Sequence, residues 1–87
     1  MKRRQIYSHL IDTAEKAGIR VIEQNLRVTG VNAKSGLCRL KGEPVFIMDK
    51  NLTINEKIQA LASGLKQIRL EDIYIIPVVR DIIDRAP

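Results

Sequence analysis

The chain has no tryptophan, one histidine, one cysteine and only three aromatic residues, Tyr7, Phe46 and Tyr74, among its 87 positions. A single cysteine, Cys38, rules out an intrachain disulfide and fits a reducing compartment. With so few rings the core must be aliphatic, built from Ile, Leu and Val. The same scarcity argues against a nucleic-acid surface of stacked bases, which interleaves aromatics with cations. One His and one Cys are too few for a zinc site of the usual ligand set. No apolar run approaches the ~20 residues that span a membrane. The basic start, "MKRRQIYSHLIDTAEK", has no unbroken apolar stretch behind it, because Asp12, Glu15 and Lys16 interrupt. No signal peptide and no membrane contact are therefore expected, and the cytoplasm is the expected location.

The composition is that of an ordinary folded domain, 45% hydrophobic and 29% charged. Residues 1–87 form one small domain, which buries only ~60–70% of its unfolded surface. The net charge is +5, unevenly spread. Residues 1–41 hold nine Lys/Arg against three Asp/Glu, and residues 42–87 hold six against seven. A basic half attracts nucleic acid or an acidic protein surface, although scattered cations also simply keep a small domain soluble.

The apolar spacing outlines the elements. Ile6, Leu10, Ala14 and Ala17 predict a helix over 5–17, and Gly18 offers the left-handed conformation that ends one. "IRVIEQNLRV" (19–28) reads as a strand, irregular near Ile22, and "TGVNAKSG" (29–36) as a loop. "LCRL", the glycine turn in "KGE" and "PVFIMD" predict a hairpin. On its first strand Leu37, Arg39 and Lys41 share one face, and Cys38 and Leu40 the other. The unalternating run Val45–Met48 predicts a strand covered on both faces. Thr53 and Glu56 form a capping box, and Ile54, Ile58, Leu61, Leu65 and Ile68 make one apolar stripe, expected to face the sheet. Pro77 suits the first turn of a last helix. The expectation is an α+β domain of order α-β-β-β-α-α, with a three-stranded, largely antiparallel sheet packed by helices.

One stretch of the second helix stands out: "QALASGLKQ" (59–67). Gln59, Ser63, Gly64 and Gln67 give it a face that is polar, uncharged and interrupted by glycine. At 100° per residue Ser63 lies about 180° from Ile54, so this face is expected to point away from the sheet. Either it is exposed and kept wet by Lys57 and Lys66, or the last helix covers it, with Ala60 and Gly64 allowing close approach.

The helix, the "AEKAGIRV" strand, the hairpin and "FIMDKNLTINEKIQALASGLKQ" together resemble the ImmA/IrrE family of minimal zincin metallopeptidases over roughly residues 10–68. Members have a helix ending in glycine, a strand, a hairpin whose second strand ends near Asn or Asp, and a capped helix bearing H-E-x-x-H. On this chain that motif falls on Ser63, Gly64, Leu65, Lys66 and Gln67. The resemblance would put the zinc-binding histidines at Ser63 and Gln67 and the glutamate base at Gly64. A hydroxyl and an amide are poor zinc ligands, and glycine cannot take a proton from a metal-bound water. The resemblance thus implies a relative without metal, its scaffold reused for binding.

Other chemistry finds little support. His9 and Cys38 lack an orienting group and an oxyanion site, and Cys38 reads as a small buried apolar residue. "GVNAKSG" (30–36) misses the phosphate-loop pattern, because Lys34 and Ser35 precede its second glycine. Glu71 and Asp72 read as a helix junction, not an acid/base pair. No cofactor, metal or catalytic residue is therefore assigned. The expected function is a non-enzymatic protein acting through protein contacts, by way of Gln59, Ser63, Gly64 and Gln67 or of an exposed strand edge that would also permit a homodimer. The alternative is a weak, sequence-nonspecific nucleic-acid binder using Lys2, Arg3, Arg4, Arg39 and Lys41.

Overall fold

The computed structural model describes residues 1–29 and 34–87, so most of the 30–36 glycine loop lies outside the described residues. The first helix, α1 (Arg3–Lys16), buries Tyr7, Leu10 and Ala14 along one stripe. Gly18 ends it as expected, at φ +82°. The Gly18 N–H donates to the Glu15 carbonyl and the Ile19 N–H to the Ala14 carbonyl, a paired closure that needs a residue with positive φ between them.

The first strand, β1 (Arg20–Gln24), is shorter than the predicted 19–28. Asn25 stops it: its Oδ1 accepts from the Arg27 N–H at 3.1 Å, and Leu26–Thr29 turns into a short 3₁₀ segment with Leu26 buried. The hairpin follows as β2 (Gly36–Leu40) and β3 (Glu43–Asp49). Lys41 and Gly42 form its two-residue turn, both at positive φ (52° and 82°), the twist that matches two paired strands.

The sheet order is β1-β3-β2. β2 runs antiparallel to β3, whereas β1 runs parallel to it. The sheet is therefore mixed, where a largely antiparallel one was expected. The chain leaves β1 at the Asp49 end of β3 and enters β2 at that same end. There the Lys50 N–H donates to the Gln24 carbonyl and the Asp49 N–H to Ser35 Oγ. Both ends of the β1–β2 link therefore stand at the Asp49 end of β3, and β1 lies parallel to β3.

The register puts Val21, Glu23, Leu37, Arg39, Phe46 and Met48 on one sheet face, and Ile22, Cys38, Leu40, Val45 and Ile47 on the other. Val45, Phe46 and Met48 are buried and Ile47 is half-buried, which suits a central strand. Phe46 and Met48 enter a single core with residues of α1, of the second helix α2 (Ile54–Lys66) and of the third helix α3 (Pro77–Arg85). The capping box holds: Thr53 Oγ1 accepts from the Glu56 N–H, and Glu56 Oε1 from the Thr53 N–H.

The roll of α2 differs from expectation. A β-carbon on Gly64 would lie 2.5 Å from Cε2 of Phe46, so Gly64 is the point where α2 touches β3. The apolar stripe, whose mean direction is that of Ile54, lies about 80° around the helix from that contact. The close approach that glycine allows is to the sheet, not to the last helix.

Tyr7 on α1 donates to Glu23 on β1 at 2.8 Å, and Lys57 on α2 reaches the same carboxylate at 2.9 Å. The Lys57 ammonium also sits 5.8 Å from the Tyr7 ring centre. Burial raises the Tyr7 pKa, and the Glu23 hydrogen bond and charge raise it further. Burial alone would raise Glu23. The hydrogen bonds from Lys57 and Tyr7 and the Lys57 charge outweigh that, and its pKa falls below the ordinary carboxylate value. Glu23 keeps 38% side-chain exposure, so water screens the ion pair and the cluster chiefly sets geometry.

Two outcomes follow. Gly64→Ala gains about 1 kcal/mol of helix propensity but forces a methyl into a buried ring, and is expected to lose stability by about 1–3 kcal/mol net. Phe46→Leu in the same chain should recover part of it, read as coupling in urea unfolding; a stabilised Gly64→Ala protein would mean that α2 does not rest on Phe46. The depressed Glu23 pKa contributes stability that is complete above the unfolded value near 4.5 and is lost as pH falls through the lower folded value. The urea midpoint should drop between roughly pH 5 and 3, and drop less in Glu23→Gln. Parallel pH curves for the two proteins would contradict the coupling.

Candidate protein-interaction site

The four residues of the odd α2 face are split by the fold. Gly64 is buried under Phe46. Ser63 is half-buried, and its hydroxyl donates to the Pro87 carbonyl at 2.6 Å. Lys66 donates to the neighbouring Ala86 carbonyl at 2.9 Å, so the end of α3 reaches this flank of α2 without covering it. Gln59 and Gln67 are exposed.

This flank does not point away from the sheet. Seating Gly64 on β3 turns Ala60, Ser63 and Gln67 toward β2, and together with Ser35, Gly36 and Leu37 they enclose a cleft of about 260 Å³ with Phe46 at its floor. That volume admits one or two side chains, not a folded ligand. Leu37 is the apolar wall, 37% exposed.

β2 is an edge strand, paired with β3 alone among the described residues. A two-residue turn makes Leu40 and Glu43 a hydrogen-bonded pair, and such pairs alternate along an antiparallel ladder. The register then gives Cys38 and Gly36 to β3 as well. Leu37 and Arg39 are left with their N–H and C=O groups aimed outward, along the rim of the cleft. Pro44, opposite Arg39, suits a non-bonded position of β2.

The nucleic-acid candidates fall into two groups. Lys2, Arg3 and Arg4 stand at the start of α1, where the Lys2 N–H is bound by Gln5 Oε1. Arg39 and Lys41 stand at the hairpin, where the Arg39 guanidinium donates to the Gly42 carbonyl at 2.9 Å. The hairpin borders Gly18 and Arg20, beyond the opposite end of α1. A helix of this length separates the two groups by about 20 Å.

His9 is exposed on α1, which packs on the Phe46 face of the sheet, whereas Cys38 pairs with Val45 and projects from the other face. The sheet stands between them. Cys38 is also exposed, where a buried position was expected, because α1 and α2 pack on the opposite face. Glu71 pairs with Arg69 at 3.1 Å in the exposed α2–α3 connection. Among the described residues no group of three His, Cys, Asp or Glu side chains could hold a metal. Ser63, Gly64 and Gln67 do not fit zinc either: one hydroxyl is engaged by a carbonyl, and the middle position has no side chain.

An exposed strand edge was expected, but the sequence did not single out β2, Leu37 or Ser35 as the other wall of this cleft. The odd α2 stretch was the signal; its neighbour across the cleft depends on strand order, which is not local. Comparison with protein-family models, with curated proteins and with solved structures finds no match.

Proposed function

We propose that the chain is a non-enzymatic protein that acts through protein–protein contacts, and that its contact surface is the cleft between α2 and the free edge of β2. The observation that carries this reading is the juxtaposition of the β2 edge at Leu37 and Arg39, paired with β3 alone among the described residues, with a small cleft lined by Leu37, Ser63 and Gln67. An extended segment added to a sheet edge gains affinity from main-chain hydrogen bonds and specificity from a pocket for alternate side chains. The uncharged Gln67 amide in the cleft suits such a use, because it bonds to either donors or acceptors, while the Ser63 hydroxyl, already donating to Pro87, can still accept.

The likeness to a metal-free zincin scaffold is part of this proposal. Its support is that Ser63, Gly64 and Gln67, where H-E-x-x-H would fall, all line the cleft. With no ligand for zinc and no base, what remains of such a site is a place to hold a chain. Nucleic-acid binding ranks second, since its candidate cations lie at opposite ends of α1.

Gln67 is exposed at the end of α2, so Gln67→Arg should fold normally while obstructing the cleft. In a nuclease-treated pull-down, the unaltered chain should retain a protein that Gln67→Arg loses, with identical circular dichroism for the two. Retention by both would place the contact elsewhere, and recovery abolished by nuclease would favour the nucleic-acid reading.

A further inference from the structure

The charges along β2 select the occupant of this cleft. Residues 34–41 carry Lys34, Arg39 and Lys41 and no acidic residue. None of the three takes part in an ion pair among the described residues. Arg39 is turned back onto a neutral carbonyl, that of Gly42. A second copy of the chain fits this edge poorly. Pairing β2 with its own copy, in either direction, would crowd six cations along one seam, and like charges across a strand pair are destabilising. Cations on an edge strand are also a known bar to self-pairing.

We propose that the occupant is an extended, acidic segment of another protein, added to β2 as a further strand. The inference rests on the reading of this cleft as a contact surface. Leu37 and Arg39 project from the same face of β2, two residues apart. An added strand presents alternate side chains to that face. The segment therefore carries an apolar side chain where it meets Leu37 and the cleft, and a carboxylate two residues away beside Arg39. Lys34 and Lys41, at the two ends of β2, favour further acidic residues at the flanks.

The probes are three short fluorescein-labelled peptides of alternating threonine and valine, which differ only in carrying two glutamates, two glutamines or two lysines at alternate positions. Fluorescence anisotropy measures their binding to the full chain. The glutamate peptide should bind about tenfold more tightly than the glutamine peptide, with the advantage shrinking as salt rises. Arg39→Glu should invert the preference toward the lysine peptide. Leu37→Pro removes an N–H that faces away from β3 and leaves the β2–β3 ladder intact. It should abolish binding while the circular dichroism stays that of the unaltered chain.

Equal binding of the glutamate and glutamine peptides, both lost in Leu37→Pro, would overturn the acidic partner and leave the edge site standing. No binding of any peptide would overturn both. Glutamate-peptide binding that survives Leu37→Pro would place the contact off the edge. A dimer in sedimentation that dissociates in Leu37→Pro would make the occupant a second copy and overturn the proposal.

Discussion

The ring of Phe46 comes within 2.5 Å of the place a β-carbon on residue 64 would occupy, and α2 seats on β3 because Gly64 leaves that place empty. This contact sets the roll of the helix, and the roll decides where every other α2 side chain goes. Ile58, Leu61 and Leu65 turn into the core. Lys57 comes over β1, where it shares Glu23 with Tyr7 and so ties α1, α2 and the sheet at one carboxylate. Ser63 and Gln67 turn to the other side and overlook β2. A larger residue at position 64 would lift the helix and change both flanks.

The second constraint is the direction of β1. Because β1 pairs parallel with β3 on the side opposite β2, the apolar strand β3 is central and the hairpin's first strand is an edge among the described residues. α1 and α2 lie on the Phe46 face, and α3 packs against them. What results is a small α+β domain in which one edge strand runs beside a helix flank of uncharged polar residues, with three cations along the edge that form no ion pair among the described residues. Each feature alone is common on small proteins. Their meeting at one cleft supports a recognition surface for an extended chain, and the single sign of the charge supports an acidic one.

Much of the fold is legible in the sequence where the signal is local. Gly18, the Thr53–Glu56 capping box, the glycine turn of the hairpin and Pro77 each act within a few residues and stand where expected. The errors have long-range causes. Hydrophobic periodicity locates the stripe of α2 but not the flank that touches the sheet, since the touching residue is a glycine and adds nothing to the pattern. Strand direction depends on the long-range pairing of β1 with β3, which no local propensity encodes. The early end of β1 was more accessible: Asn25 binding the Arg27 N–H is a local turn, hidden inside an apolar run. Cys38 was expected to be buried because alternation shows a strand's two faces without saying which one the helices choose.

The central claim is that the outer edge of β2 is open in the free protein. Amide hydrogen exchange followed residue by residue tests it most directly. The account predicts slow exchange at Cys38 and Leu40, whose N–H groups face β3, and fast exchange at Leu37 and Arg39, whose N–H groups face outward. Protection of all four would mean that the edge is already covered, and protection of Leu37 and Arg39 alone would mean that the register is shifted. Either result would contradict the proposed site.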